Sequence, residues 1–245
     1  KVNGKILVPY NTNQGVIMEA LEGYILTSVK INDVEMLTSS VSRYSTSFDG
    51  MVEEQNVVIV TRKLYDVTSS ITHGTLVTST IFRVEDGSNA DVVFSVNDNY
   101  TLTEILVNGE SFDLTSDNLV YNDALKQYTL TIENVAEDMV VAISASINKV
   151  QVVLTVGSNG SVKVGSDTYS NETVTIEMDY GSSLVMVIKP NGEYVVDSVV
   201  YNGANQDTTI TTIANITNAT NTLNVTFKLV QYAVQVSAGD NNVTI

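Results

Sequence analysis

A nine-residue frame that begins with tyrosine and ends with asparagine occurs three times in this chain. The copies lie at residues 24–32, 100–108 and 194–202 and read YILTSVKIN, YTLTEILVN and YVVDSVVYN. Each is a run rich in aliphatic and β-branched residues that stops at Asn-Asp or Asn-Gly, pairs that favour a two-residue turn between antiparallel strands. A frame that recurs at a period of roughly 85 residues predicts tandem copies of one small β unit.

Strand patterns extend outwards from the frames in a common order. Residues 150–156 carry apolar side chains at every second position and lead to Asn159-Gly160, which predicts an opening hairpin for the third copy. The first copy shows no such opening strand, whereas residues 231–240 resemble the start of another copy. We therefore predict β modules at residues 1–63, 64–148 and 149–230 and the start of a fourth at 231–245. Both ends of the chain are then expected to lie inside the array.

The predicted fold class is all-β, or β-rich and β-grasp-like. No segment of ten or more residues has a clean helical apolar period, although residues 116–127 are compatible with one or two helical turns. No Pro-, Gly- or Ser-rich spacer separates the modules, so the closing strand of one copy passes within a few residues into the opening strand of the next. Short junctions limit interdomain motion and predict a semi-rigid rod.

Charge and cysteine content narrow the classes of function. The 28 acidic residues outnumber the 12 basic ones, giving a net charge of −16, and the basic residues are scattered, which disfavours nucleic acid as a partner. The absence of cysteine excludes disulfides and thiolate metal sites. For modules of this size it favours a bacterial or viral surface protein over an extracellular animal one. The apolar runs are too short to insert into a membrane, and no signal peptide pattern follows Lys1.

The most informative motifs, read together, are Gly23-Tyr24, Gly192-Glu193-Tyr194, SVVYNG at residues 198–203 and YTLTIENV at residues 128–135. The unit that they outline resembles the internalin-type B-repeat of bacterial surface proteins, over nearly the whole chain. The resemblance implies compact β-grasp-like or small sandwich modules in secreted, wall-bound or virion-associated proteins. An extracellular, cell-surface or virion-surface location is therefore expected.

No catalytic residue is predicted. His73 is the single histidine, and it occupies the position of Asn3 and Asn159 before a glycine, so we interpret it as a turn residue that tolerates positive φ. One histidine does not build a multi-histidine zinc site. The carboxylate pairs Glu53-Glu54 and Glu137-Asp138 fall at matching positions of two copies, which indicates a structural turn rather than a glycosidase pair. We expect a protein that is not an enzyme.

Calcium is the candidate cofactor, because hard cations prefer the clustered oxygens of acidic loops. A solvated turn without metal is the alternative for both candidate loops. Their candidate ligands are Glu85, Asp86 and Asp91 in one loop and Asp49, Glu53 and Glu54 in the other.

Tyrosines outside the repeated frame are candidate contacts for sugars, because an exposed ring offers a flat stacking surface. Ordinary core packing is the alternative. The candidates are Tyr65, Tyr121 and Tyr169. Residues 208–222, made almost entirely of Thr, Asn, Ile and Ala, are predicted to form a polar loop or edge strand that contacts glycans or a neighbouring subunit where exposed.

These features predict a non-catalytic structural and adhesive stalk segment of a bacterial surface protein, or of a phage fibre or decoration protein. One alternative is an array of carbohydrate-binding modules. Another is a self-assembling filament or virion subunit that uses edge-strand pairing, since an unpaired strand edge can accept a strand of another chain. The expected partners are neighbouring modules or subunits and surface glycans.

Overall fold

The computed structural model describes residue 4 and residues 6–235, and it is all-β, which confirms the predicted fold class. Those residues contain no helix, and thus none that could span a membrane. Residues 116–127 form strand β11 with flanking turns instead of helical turns. The strands are β1 (Gln14–Glu19), β2 (Tyr24–Ile31), β3 (Val34–Glu35), β4 (Arg43–Phe48), β5 (Val57–Thr72), β6 (Gly74–Leu76), β7 (Ile81–Glu85), β8 (Ala90–Val96), β9 (Tyr100–Val107), β10 (Glu110–Ser111), β11 (Leu119–Asn122), β12 (Gln127–Ile132), β13 (Met139–Ile147), β14 (Lys149–Val156), β15 (Gly160–Val164), β16 (Asp167–Tyr169), β17 (Glu172–Asp179), β18 (Leu184–Pro190), β19 (Tyr194–Tyr201), β20 (Ala204–Gln206), β21 (Thr212–Ile213) and β22 (Thr220–Leu229).

The chain divides into two compact units, residues 1–146 and 147–245. The second unit contains the third repeat, and the first contains the other two. Of the predicted fourth module, residues 231–235 form no strand, and residues 236–245 lie outside the described residues.

The third repeat consists of two sheets. One has the order β17-β14-β22-β19-β20 and the other β16-β15-β18-β21. The opening strand β14 and the closing strand β22 lie side by side and run parallel, whereas every other pair of strands recorded for this repeat is antiparallel. Alternate residues of β14 and β22 point inwards and pack against β15 and β18, so the apolar core lies between the sheets.

The second repeat also consists of two sheets, and its first sheet has the same strand order. Its first sheet has β7, β5, β13, β9 and β10 in order, and its second has β11, β12, β8 and β6. The second half of β5 is its opening strand and pairs in parallel with the closing strand β13 through residues 67–72 and 139–144. The first sheets of the two repeats have one strand order. The second sheets share three strands and differ in the fourth, because β16 lies beside β15 whereas β11 lies beside β12, the counterpart of β21. The shared strand order confirms the tandem β modules that the sequence predicts.

The first repeat is smaller. Strand β1 pairs with β4, and β2 pairs with β3 and with the first half of β5. Its fully buried apolar core is limited to Met18, Leu26 and Val29. Strand β5 is one continuous strand of 16 residues that closes the first repeat and opens the second, so the predicted boundary between residues 63 and 64 falls inside it.

The repeated frame ends in tight hairpin turns, as predicted. Both residues of each turn have positive φ, the geometry of a type I′ turn that asparagine and glycine tolerate. The turns are Asn32-Asp33, Asn108-Gly109 and Asn202-Gly203. The Asn159-Gly160 turn differs, because only Asn159 has positive φ. Gly160 is required for space instead, since a Cβ there would overlap the Phe227 ring.

Residues 208–222 contain an edge strand, one of the two predicted alternatives, because β21 lies at the edge of its sheet. The segment is not polar throughout. Ile213 and Ile216 are buried in the core of the third repeat, and β21 pairs with β18. The segment supplies the strand that β12 supplies in the second repeat, so its isoleucines anchor it. Most of its Thr and Asn side chains are exposed, whereas Asn221 is buried.

Candidate functional site

The asparagine that ends each frame clamps the closing strand of its repeat. Its backbone N–H donates to a carbonyl of the closing side, and its Oδ1 accepts from the N–H of that same residue. The clamped residues are Asn56, Val140 and Thr222, for Asn32, Asn108 and Asn202 in turn. The amide nitrogen donates to a neighbouring side chain in each repeat. The frame therefore has a structural role, and function must be sought where the repeats differ.

A second repeated contact explains the acidic turns. In each repeat one residue of the turn exchanges two backbone hydrogen bonds with a distant loop. Met51 does so with Asn11 and Thr12, and Val135 does so with Gly87 and Ser88. Ile216 makes the same pair of bonds in the third repeat, where the flanking residues carry no acidic side chain. The carboxylates are thus not needed to form this turn.

His73 is a turn residue, as predicted. It has φ of 55°, and its ring stacks on Tyr100 with ring centroids 4.6 Å apart. Its carbonyl accepts from Asn97 N–H at 2.9 Å, which closes the turn against β8. The ring is thus engaged in packing.

The candidate calcium ligands do not converge. Asp91 accepts from the Thr131 hydroxyl at 2.7 Å, and Asp49 accepts from the Ser47 hydroxyl at 2.8 Å. Asp86 uses its backbone, donating to Lys63 O at 2.9 Å. Glu85 is the last residue of β7. Glu53 follows β4 and lines a shallow surface depression formed by residues 47–53 and 55, and Glu54 is its neighbour in the chain.

Across residue 4 and residues 6–235, no three acidic or histidine side chains form a group that could hold a metal ion. Calcium binding therefore stays a prediction. A calcium titration followed by thermal unfolding tests it, and an unchanged melting temperature would remove it.

The three candidate tyrosines lie in different environments. Tyr65 packs against the core of the second repeat with Lys63 over its ring at 4.4 Å, and Tyr169 packs against the core of the third. Tyr121 is 46% exposed on edge strand β11 and contacts Tyr128 with ring centroids 4.7 Å apart. Tyr121 is thus the candidate with an open ring surface.

The largest difference between the repeats lies along the first half of β5. In the other repeats the closing strand is flanked on one side by the frame strand and on the other by the opening strand. Residues 57–63 pair with the frame strand β2, but among the described residues no strand pairs with them on the other side. We call residues 57–61, seen from that side, the open edge.

No described strand pairs with the backbone of the open edge on the side away from β2. Asn56 and Leu64 bond towards β2, through Asn32 and Gly23, whereas Lys63 O accepts from Asp86 on the opposite side. Because successive residues of a strand alternate in direction, the odd-numbered residues between them point away from β2. The N–H and C=O groups of Val57, Ile59 and Thr61 therefore face the open edge.

A side chain of the open edge is exposed where the equivalent side chains of the other repeats are buried. The clamped residues allow the three closing strands to be aligned. In this alignment the third residue after the clamped one is Ile59, Ile143 or Val225. Ile59 is 46% exposed, whereas Ile143 and Val225 are each 1% exposed. Ile59 lies opposite the buried Val29, so it faces the core of its repeat. Sequence reasoning noted a missing opening strand but not these residues, which aligning the closing strands would have found.

Comparisons with known proteins give no family. No protein-family model and no curated protein matches the chain. Among solved structures, the I9–I11 tandem from titin is similar, with 10% identity over 88% of this chain and 92% of that chain and a TM-score of 0.17. The description of the fold therefore rests on the strands of this chain itself.

Proposed function

We propose that this chain is a non-catalytic structural segment that transmits tension along an extracellular surface protein or fibre and holds another function away from the surface. The resemblance to B-repeats and the absence of cysteine support an extracellular bacterial or phage setting. The strong negative charge is compatible with a solvated surface outside the cell.

One observation carries the proposal: in both complete repeats the first and last strands are adjacent and parallel. Residues 151–156 pair with 220–225 in the third repeat, and residues 67–72 pair with 139–144 in the second. Tension applied to the two ends of such a repeat pulls the parallel strands lengthwise past each other. All ladder hydrogen bonds between them are then loaded together, because they lie across the direction of force.

A repeat that served only to display a binding loop would not need this strand order.

The junctions between the repeats support the same function. Strand β5 passes from the first repeat into the second without a break, and only Asn148 separates β13 from β14. Because no flexible spacer intervenes, little extension is lost before tension reaches the sheets.

Single-molecule force spectroscopy tests the proposal, and the lack of native cysteine allows handles to be attached at chosen positions. Gln151→Cys with Lys228→Cys pulls β14 and β22 lengthwise, because the handles lie at opposite ends of the parallel pair. Gln151→Cys with Asn218→Cys pulls the same strands apart from one end. We expect a rupture force several-fold higher for the first pair at equal loading rate.

The two handle pairs share one wild-type-like fold, so their difference reports geometry and not stability. All three substituted side chains are exposed. Equal rupture forces for the two pairs would contradict a tension-transmitting role. Pulled by its ends, the whole chain should lengthen by about 30 nm as each complete repeat unfolds, for roughly 80 residues at about 3.6 Å each.

Glycan binding is a second candidate, favoured by the exposed ring of Tyr121 on β11, which lies beside exposed Val120. Tyr24 has similar exposure and serves as the matched control. We expect Tyr121→Ala to abolish binding on a glycan array and Tyr24→Ala to retain it. An array on which the unsubstituted chain binds no glycan would end this candidate.

A further inference from the structure

We propose that β17 of the third repeat pairs edge to edge, and antiparallel, with β17 of a second copy of this chain, so that two copies form a symmetric dimer. The contact lies on the outer edge of β17, which is the side away from β14. The inference is independent of tension transmission, because β17 is not one of the two parallel strands that tension would load.

The outer edge of β17 lacks the features that commonly prevent pairing between sheet edges. No strand among the described residues pairs with β17 on that side. Proteins protect such edges with short strands, lysine, proline or a bulge. Strand β17 has eight residues, none of which is lysine or proline, and all of them pair with β14 without a register shift. It is therefore a long and regular template for a further strand.

The other edge strands of the two complete repeats are shorter. Strand β7 takes the place of β17 in the second repeat, and it has five residues with Arg83 at its centre. Two to four residues make up each of the remaining edge strands, which are β6, β10, β11, β16, β20 and β21. The third repeat thus differs from the second in both the length and the chemistry of this edge.

The backbone of β17 presents its odd-numbered residues to the outer edge. Just beyond the strand, Tyr180 N–H donates to Asn148 O at 2.9 Å. Because successive residues of a strand alternate in direction, the even-numbered residues of β17 bond towards β14. The N–H and C=O groups of the odd-numbered residues from 173 to 179 therefore point outwards, where a further strand would meet them.

The side chains of β17 form one apolar row and one polar row. Val174, Ile176 and Met178 pack against the core of the third repeat, but each is only partly buried. On the neighbouring strand β14, the inward side chains at positions 150, 152, 154 and 156 are at most 2% exposed. The core is thus incompletely covered along the outer edge of β17. A further strand there would bury more apolar area.

One antiparallel register matches the residues of the two strands by type over residues 173–179. It places Ile176 of one copy opposite Ile176 of the other, on the two-fold axis. Apolar residues then meet apolar residues, and carboxylates meet threonine hydroxyls. The pairs, each formed twice, are Val174 with Met178, Thr175 with Glu177, and Thr173 with Asp179. Each odd-numbered pair exchanges two backbone hydrogen bonds.

The neighbouring registers match less well. A shift of two residues in one direction places Glu177 opposite Glu177 of the second copy, and like charges directly opposite each other are destabilising. A shift of two residues in the other direction places Met178 opposite Glu172. Side-chain chemistry therefore favours the register centred on Ile176.

Both copies contribute the same strand, so the contact is isologous and association stops at a dimer. The five-stranded sheets of the two copies become one continuous sheet. The net charge of −16 on each copy opposes association. Added salt screens the repulsion, so we expect the dimer to become more stable as ionic strength increases.

Sedimentation velocity of the 245-residue chain, over a range of concentrations and salt levels, tests the proposal. We expect a dimer that forms with increasing concentration and no larger species. Thr175→Pro removes an outward N–H and should abolish the dimer. Thr175→Ala keeps that N–H and should retain the dimer. Both variants should keep the circular dichroism spectrum of the native chain, because position 175 is exposed on an edge strand.

Charge at position 175 tests which residues face each other. Thr175→Glu places a carboxylate opposite Glu177 of the second copy and should weaken the dimer, whereas Thr175→Lys should strengthen it. We expect several-fold changes in the dissociation constant, because the contact occurs twice. Thr222→Glu and Thr222→Lys make the same changes in net charge on the same face, two strands from the contact, and should alter it far less.

Disulfide formation tests the register directly, since the chain has no native cysteine. A mixture of Thr175→Cys and Glu177→Cys proteins should form a disulfide, because opposite residues of a hydrogen-bonded pair have Cα atoms about 5.5 Å apart. Thr175→Cys by itself brings two cysteines only to diagonal positions, about 7–8 Å apart, and should form little disulfide.

Three results would overturn the proposal. A protein that stays monomeric at every concentration and salt level lacks the contact. Dimers that survive Thr175→Pro, or oligomers that grow beyond a dimer, use another surface. Efficient cross-linking of Thr175→Cys by itself, without cross-linking in the mixture, assigns a different register. None of these results changes the rupture forces expected for handles on β14 and β22.

Discussion

Single side chains complete the hydrogen-bond ladders of the repeats, and Asn221 is the most buried of them. It accepts from the Tyr201 hydroxyl at 2.7 Å and from Asn202 Nδ2 at 3.0 Å, and it donates to Gln151 O and Asn218 O at 3.2 and 2.8 Å. Burial raises the pKa of Tyr201 above its ordinary value, an effect opposed by Asn202. The hydroxyl therefore stays a donor at neutral pH, and its contribution to stability is lost only as the pH rises above about 10.

Ser69 provides the opposite case. Its hydroxyl is buried in the second repeat and has no hydrogen-bond partner among the described residues. It lies beside Val141 as Leu154 lies beside Leu223 in the third repeat, so the position is apolar in the other complete copy. An unpaired buried hydroxyl costs about 1–3 kcal/mol.

We predict that Ser69→Ala raises the free energy of unfolding by about 1 kcal/mol, because it removes that cost. Asn221→Ala should lower the free energy of unfolding by about 1–3 kcal/mol, because the substitution leaves the polar groups around Asn221 without hydrogen-bond partners. Urea unfolding of both variants measures the two changes. A destabilised Ser69→Ala protein would show that the hydroxyl has a partner.

A pH dependence is predicted at Glu35 in the first repeat. The Ser28 hydroxyl and then the N–H groups of Leu37, Val29 and Met36 lower the pKa of Glu35. A lowered folded-state pKa stabilises the fold above the unfolded value of about 4.5, and that contribution is lost as the pH falls through the folded value. Glu35→Gln should therefore be less stable than the native chain at pH 7, and the difference should narrow below pH 4.5.

Thermal melts from about pH 3 to about pH 7, which lie below and above the ordinary carboxyl pKa range, measure this difference. Ser28→Ala removes the largest cause of the shift and should retain part of the stability. A gap between native and Glu35→Gln proteins that stays constant with pH would contradict the prediction.

At the scale of elements, the parallel pair β14 and β22 should be the most sensitive ladder of the third repeat. The amide N–H of Gln151 donates to Ala219 O, just before β22, and that of Gly157 donates to Val225 O within it. The N–H groups of the odd-numbered residues between them therefore point towards β22 too. Val153→Pro removes one of these bonds in the centre of the sheet and should cost about 3 kcal/mol or more. Chemical denaturation measures the loss.

The matched control lies on the neighbouring edge strand. Thr175 of β17 lies opposite Val153, and its side chain is exposed. Its backbone N–H points away from β14, towards the open side of the edge strand. Thr175→Pro should therefore be much less disruptive than Val153→Pro. Comparable losses from the two prolines would argue against the importance of the parallel pair.

At the scale of the whole molecule, the third repeat should fold without the rest of the chain. Its two sheets enclose a core of twelve buried apolar side chains, and its opening and closing strands are both present. We expect a fragment of residues 148–230 to show cooperative thermal unfolding and dispersed amide NMR signals. A fragment that lacks both would show that its fold depends on the first unit.

The first repeat is expected to behave differently. Its core has three fully buried apolar residues, and its closing strand is half of β5. A fragment of residues 1–63 ends inside that strand and should remain largely unfolded. Hydrogen exchange of the intact chain should likewise be faster in β1, β2 and β4 than in β14 and β22. Equal protection in both regions would contradict this expectation.

The sequence by itself determined the local structure of this protein. Alternating apolar residues and the Asn-Gly and Asn-Asp pairs specify strands and type I′ turns, because strand periodicity and positive φ depend on residues close together in the chain. His73 was predicted as a turn residue for the same reason. The recurrence of the frame in three copies is likewise visible in the sequence.

Only the tertiary structure decided which strands are neighbours. The parallel pairing of β14 with β22 joins residues that are about 70 positions apart in the chain, and no local pattern encodes that contact. The burial of Ile216 within a Thr- and Asn-rich segment likewise depends on the loop that its backbone meets. The exposure of Ile59 is of the same kind. Its sequence is that of a core strand, and it is exposed because no strand among the described residues lies beside it.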